Sequence, residues 1–212
     1  MKYKYEVIRS ARKSISVSVS SSNKITVRCP WGVRPEQIES FLDLKADWIE
    51  KVILNNSKKL AVNDDVIELR EIYVEGRRLP LVFGDKDEIT AERVCVKNVS
   101  RLCKLFERHC FPEFLARVNA YAEKAMLYPA SVGVKDYKGR WGCCDAKNNL
   151  IFNYKLFMLP RHIQDYVIIH ELCHTLCHNH SPAFWKLVSD FVPDYKKVRG
   201  ELRNYDFLTA LY

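Results

Sequence analysis

At 212 residues, 48% of them hydrophobic and 12% aromatic, the chain can bury a sizeable core in one or two small domains, which excludes an intrinsically disordered protein. No segment approaches the roughly 20 apolar residues of a membrane span, and MKYKYEVIRSARKS at the start lacks the apolar run of a signal peptide, so a cytoplasmic protein with no membrane partner is expected. The net charge of +8 is spread along the sequence, with only short clusters such as Arg77-Arg78 and Lys196-Lys197, a pattern that favours a mildly basic soluble protein over a nucleic-acid surface.

Tyr3, Tyr5 and Val7, then Ile15, Val17 and Val19, then Ile25, Val27 and Cys29 alternate with polar residues. With a turn at Ser21-Ser22-Asn23, this predicts an antiparallel meander with one wet face. Pro35 opens a predicted helix over about 35–54, whose Ile38, Phe41, Leu42, Trp48, Ile49, Val52 and Ile53 form one inward stripe. The polar stretch 55–65 is the best joint between subdomains. Further strands follow around Ile72, Val74, Leu79, Leu81, Phe83, Ile89, Val94 and Val96, with a hairpin at Glu75–Arg78 and Pro80 suiting an edge strand. A helical region over about 99–126 is kinked or divided at Pro112. Short strands at 132–137, 140–145 and 150–154 then lead to the most informative stretch.

That stretch is VIIHELCHTLCHNHSPAFW, Val167 to Trp185, with His170-Glu171-Leu172-Cys173-His174 on an apolar background. Residues four apart lie one above the other on a helix, so His170 and His174 can offer imidazoles to one tetrahedral metal. Glu171 falls beside that metal, where a carboxylate can accept a proton from an attacking water. Buried imidazoles and a buried carboxylate are costly without partners, and a metal supplies one. A catalytic zinc takes three protein ligands and keeps one open position. Two candidates for the third ligand follow. His178 continues the spacing of four but lies too far along the axis; His180 is better placed, if Asn179 leaves the helix left-handed and Ser181-Pro182 starts a new one. His109 and His162 lack local partners and read as ordinary core or surface histidines. Tyr195 is a candidate hydroxyl for a transition-state oxyanion.

The eight cysteines read as reduced thiols: Cys143 and Cys144 are adjacent, and Cys173 and Cys177 share a predicted helix. A second, structural zinc among those four lacks the usual ligand spacing, so core packing is expected. A metzincin is excluded by Cys177 at the position where that class needs glycine and by the absence of methionine after His180.

The run RWGCC from Arg140 to Cys144, NLIFNYKLFMLP from Asn149 to Pro160, HELCH and NHSPAFW, with YEVIRSARKSISVSVS and KADWIEK near the start, resembles the YgjP-like metallopeptidase domain, a family of zincin-type proteins. The resemblance covers nearly the whole chain; Cys143 departs from it where the family commonly has serine. It implies one Zn²⁺ per chain held by His170, His174 and His180, with Glu171 as the catalytic base and acid. It also suggests that an edge strand beside the metal-binding helix pairs with an extended substrate. The expected fold is an α+β zincin-like metallopeptidase: an antiparallel β-rich N-terminal region, 1–97, with one long helix, and a helical catalytic region, 98–212, able to form one compact unit with it. The expected function is zinc-dependent hydrolysis of peptide bonds in a protein or peptide substrate. The rival readings are a zinc-binding module without catalysis and a nucleic-acid-associated protease, the latter marked by binding that falls steeply with salt.

Overall fold

Three strands alternate apolar and polar residues near the start of the chain, and the middle position goes to the most buried of them, β3 (Ile25–Pro30). A computed structural model of the protein describes residues 3–20 and 23–211. In it β1 (Tyr5–Ser10) pairs with β3 in parallel, and β2 (Ser16–Val19) pairs with β3 antiparallel. The sheet is therefore mixed, in the order β1-β3-β2, rather than the meander that alternation predicts; period two fixes a face but not a neighbour. Part of the expected turn, Ser21-Ser22, lies outside the described residues.

The predicted single helix is two: α1 (Pro35–Leu44) ends at Lys45, and α2 (Ala46–Val62) restarts at once. Ile38, Leu42 and Ile49 pack on Ile25, Val27 and Cys29. The break turns Trp48 outward, to 46% exposure, so it does not join the stripe. The polar stretch 55–65 is largely helical, and Asn56 Nδ2 donates to Ser20 O at 2.9 Å and Asn23 Oδ1 at 3.0 Å.

Residue contacts divide the chain into one unit of 1–64 and another of 65–212, so the strands at 71–96 fall in the second unit and not with the first 97 residues. A backbone tie explains this. After α3 (Asp64–Ile67), β4 (Glu71–Val74) and β5 (Arg77–Phe83) form the expected hairpin. Its tip donates from Glu75 N to Phe157 O at 3.0 Å and from Gly76 N to Met158 O at 2.9 Å. With β6 (Glu88–Ile89) and β7 (Val94–Val96) the sheet order is β4-β5-β7-β6. Pro80 thus sits on an inner strand, not an edge. It is tolerated at a handover: Arg77 to Pro80 pair with β4, and Leu81 to Phe83 pair with β7.

The hairpin tip also meets Pro160, at the start of the helix that carries His170 and His174. A Cβ added at Gly76 would lie 2.7 Å from Pro160 Cγ and 3.2 Å from its Cα, and Gly76 has φ +82°. Gly76→Ala should therefore destabilise the protein by about 2 kcal/mol, from left-handed strain and overpacking together. Chemical denaturation checks this, and an unchanged midpoint would refute it.

A 24-residue helix, α4 (Leu102–Ala125), runs through Pro112 without dividing. Its Phe114 packs edge-on to Phe152 and Phe157, with ring centroids 5.0 and 5.1 Å away. A third sheet contains β8 (Ser131–Lys135), β9 (Gly142–Cys144) and β10 (Asn149–Asn153) in the order β8-β10-β9. Buried Asn153 donates from Nδ2 to Tyr137 O at 2.9 Å and Arg140 O at 2.8 Å, tying the loop that precedes β9 to the central strand. Then come α5 (Arg161–His174), α6 (Pro182–Phe191) and α7 (Tyr195–Leu202).

α5 is apolar nearly all round, and Ile163, Tyr166, Val167, Ile168, Ile169, Leu172 and Cys173 are buried. A helix of that composition belongs at the centre of its unit. Arg117 of α4 pins it, donating to Gln164 Oε1 at 3.0 Å and pairing with Asp165. The composition, 47% helical and 22% strand, is that of an α+β protein. Among the described residues no helix is long and apolar enough to cross a membrane.

Candidate metal centre

One turn of α5 separates His170 from His174, and the third imidazole arrives because the helix stops. α5 ends at His174, and Asn179 Oδ1 accepts from Ser181 N at 3.2 Å. Asn179 does this without the left-handed backbone expected of it. Ser181 then caps α6, its Oγ accepting from Phe184 N at 3.4 Å, with Pro182 in the first turn. His180, the residue before the cap, is thereby turned back toward α5. Phe184 forms a buried floor under the site, its ring centroid 5.0 Å from that of His170, 4.4 Å from His174 and 4.9 Å from His180.

One ligand-capable atom from each of His170, His174 and His180 lies within 4.8 Å of the others. His180 Nε2 and His170 Nε2 are 3.2 Å apart. Tetrahedral zinc with Zn–N of about 2.0–2.1 Å separates its nitrogen ligands by roughly 3.3–3.4 Å, so the pair has the spacing of two such ligands. His174 Nδ1 donates to Cys177 O at 2.9 Å, which fixes the tautomer and leaves the other ring nitrogen with a free lone pair. His170 Nδ1 is buried without a hydrogen-bond partner. Burial pushes the His170 imidazolium down to about 3, helped by His174, His180 and Arg199, and burial also lowers His174. Burial thus favours the neutral form of both rings, the form that ligates a metal. These residues fit a metal ion.

Glu171 does not belong to the imidazole group. Its side chain is buried, at 6% exposure, on the wall shared by β9 and α5. A Cβ added at Gly142 would stand 2.9 Å from Glu171 Cγ and 3.0 Å from its Oε1, so the bare Cα of β9 gives the carboxylate its space. Burial pushes the carboxyl up to about 7, against the pull of the Arg140 charge. A carboxyl raised into that range can take and return a proton near neutral pH.

The family model for the YgjP-like metallopeptidase domain matches residues 13–205. The chain belongs to that family. A metal cofactor and a hydrolase activity come with membership. The solved structures include the metallopeptidase zymogen of Pyrococcus abyssi abylysin, 18% identical, with a TM-score of 0.40 over 42% of this chain and 90% of that one. No curated protein matches.

In this YgjP-like domain the cleft beside the imidazoles has a volume of about 580 Å³ and is lined by Trp141, Tyr166, Glu171, Trp185, Arg199 and Arg203 among others. Trp141 both lines and pairs, its Nε1 donating to Asp206 Oδ1 at 3.1 Å. Arg140 lies over the Tyr137 ring, 5.5 Å from its centroid. His178 flanks the site from the β9 side but is outside the metal-capable group. His162 pairs with Glu201 at 2.7 Å, and His109 joins no metal-capable group among the described residues. Tyr195 stacks on Trp185 with centroids 5.2 Å apart, whereas the cleft is walled by Tyr166, one turn before His170 on α5. Sequence reasoning assigned Tyr166 only to the apolar run, since nothing in its spacing marks which buried tyrosine borders a cavity.

All eight cysteines are free. Among the described residues the three histidines are the only group of three His, Cys, Asp or Glu side chains that converges on a metal position, and Cys29, Cys95 and Cys173 are buried in the core. Burial pushes the Cys173 thiol up to about 12 and that of Cys144 to about 11, and both stay protonated.

Proposed function

We propose that this metallopeptidase is zinc-dependent and hydrolyses peptide bonds at the cleft between β9, α5 and α7. The observation that carries this reading is the convergence of three imidazoles beside a buried carboxylate that is not one of them. His170, His174 and His180 hold the ion. Zn²⁺ bound there supplies a Lewis acid that brings the pKa of a water to around 7 and polarises a carbonyl. Glu171 takes the proton of the attacking water on a carboxylate oxygen as that water adds to the carbonyl carbon. It then gives the proton to the amine nitrogen as the C–N bond breaks. Packed against Gly142, the Glu171 side chain is largely withdrawn from bulk water, which strengthens its electrostatic contacts.

An extended substrate lies along β9. That strand pairs with β10 on one side only, so its other edge has backbone donors and acceptors for a peptide, whatever the peptide's side chains.

The test is the metal content of untagged protein purified without chelators, for wild type, His180→Ala and His178→Ala. One zinc per chain is expected in wild type and in His178→Ala, with a loss of roughly tenfold or more in affinity for His180→Ala. Well-folded wild type without bound metal would overturn the reading, and equal loss in the two variants would overturn the ligand assignment.

A further inference from the structure

Arg199 lies in the last turn of α7 and Arg203 caps its C-terminus, four residues on, so both guanidinium groups stand on one face of the helix. That face borders the cleft holding His170 and Glu171. Six of the eleven arginines of this unit form an ion pair with a carboxylate: Arg70, Arg78, Arg93, Arg101, Arg117 and Arg161. Among the described residues neither Arg199 nor Arg203 has one, and both are exposed. Two acidic side chains share the cleft. Asp206 accepts from Trp141 at 3.1 Å through Oδ1, and Glu171 is the buried base. Neither comes within ion-pairing distance of the two arginines.

Arg199 is also held in place. Its guanidinium lies over the Trp185 ring, 5.0 Å from the centroid. Trp185 itself stacks on Tyr195 at 5.2 Å and on His180 at 5.5 Å. A guanidinium held over an aromatic ring still has N–H donors to offer, and it can receive a carboxylate through two parallel hydrogen bonds. The stack links this cation to a residue of the metal-capable group, so an anion bound at Arg199 lies near the reacting centre.

We propose that Arg199 and Arg203 form a carboxylate-binding subsite, by which the enzyme selects peptides carrying a negative charge close to the scissile bond. The proposal rests on the metallopeptidase reading. The carboxylate has two sources, an acidic side chain or the C-terminus of the substrate. An acidic side chain makes the enzyme an endopeptidase for acidic sequences; a C-terminus makes it trim peptides from that end.

Binding separates these outcomes from catalysis. Zinc-loaded protein carrying Glu171→Gln, to stop turnover, is titrated calorimetrically with three kinds of short peptide. One is neutral and blocked at both ends, one is the same peptide with Glu at each position in turn, and one has a free C-terminal carboxylate. At least one anionic kind should bind about tenfold tighter than the neutral peptide or more, equivalent to about 1.4 kcal/mol. The kind that gains identifies the source. Arg199→Gln with Arg203→Gln should abolish the gain, so that anionic and neutral peptides bind the variant alike; the paired lysine substitutions should keep part of it. Arg203→Gln alone, at an exposed position, should cut the gain severalfold.

Anionic peptides that bind no tighter than the neutral one would overturn the proposal. So would a preference that survives the double glutamine variant, since the metal would then be taking the carboxylate. Hydrolysis by the otherwise unchanged protein is scored separately. A preference in binding with no cleavage of any peptide refutes the peptidase reading and leaves the subsite standing; cleavage without preference does the reverse.

Discussion

Glu171→Gln should lower peptide hydrolysis by about 10²–10⁴-fold, the range a positioned general base contributes, and leave the metal content unchanged. Both halves follow from position. Glu171 is outside the group of three imidazoles, so its loss removes no ligand. Its side chain is buried at 6% exposure with burial as the dominant influence on its carboxyl, and an amide of the same shape has no charge to bury. The variant should therefore fold as well as wild type, which makes the loss of rate a statement about proton transfer. Steady-state kinetics with a peptide substrate, metal analysis and a melting curve on one preparation decide it. Full activity in the variant would remove Glu171 from the mechanism, and loss of metal would make it a ligand instead.

The parts of this site that were legible in the sequence are those fixed by local chemistry. The apolar surroundings of HELCH predict a buried helix, and α5 is one. Ser181-Pro182 predicts a helix start, and the serine hydroxyl caps Phe184. The turn that precedes it brings His180 beside His170, although Asn179 does this through its side chain and not through a left-handed backbone. What was not legible depends on partners distant in sequence. Alternation in the first strands gave their faces but not that β1 and β2 flank β3. The stripe over 35–54 continued across Lys45, where the backbone breaks, because periodicity carries no record of a one-residue interruption. Pro80 looked like an edge residue because a handover between two partner strands has no local signature. Nothing local in the sequence marks Arg199 and Arg203 as neighbours of the cleft that the fold sets them beside.

Gly142 is the residue whose role is furthest from anything local. It stands in RWGCC, read at first only as part of a family pattern, and its backbone has no positive φ that would require glycine. The requirement comes from α5, packed against it. A Cβ there would lie 2.9 Å from Glu171 Cγ, 3.1 Å from Cδ and 3.0 Å from Oε1, inside van der Waals contact with the whole end of the side chain. β9 is held to β10 by its ladder and α5 is buried, so Glu171 must swing, not the backbone. Gly142→Ala should lower kcat by about 10²-fold, the scale expected when a catalytic group is misplaced by about 1 Å. The overpacking should cost about 1–3 kcal/mol of stability, with metal content unchanged. Gly133→Ala is the control: it sits on β8 in the same sheet, paired with Ile151 of β10, and a Cβ there meets nothing within 4 Å, so kcat should not change. Undiminished kcat in Gly142→Ala would mean that the carboxylate works from another rotamer than the one packed against β9. If both alanines slow the enzyme equally, the effect belongs to the sheet as a whole and the specific contact between Gly142 and Glu171 plays no part in catalysis.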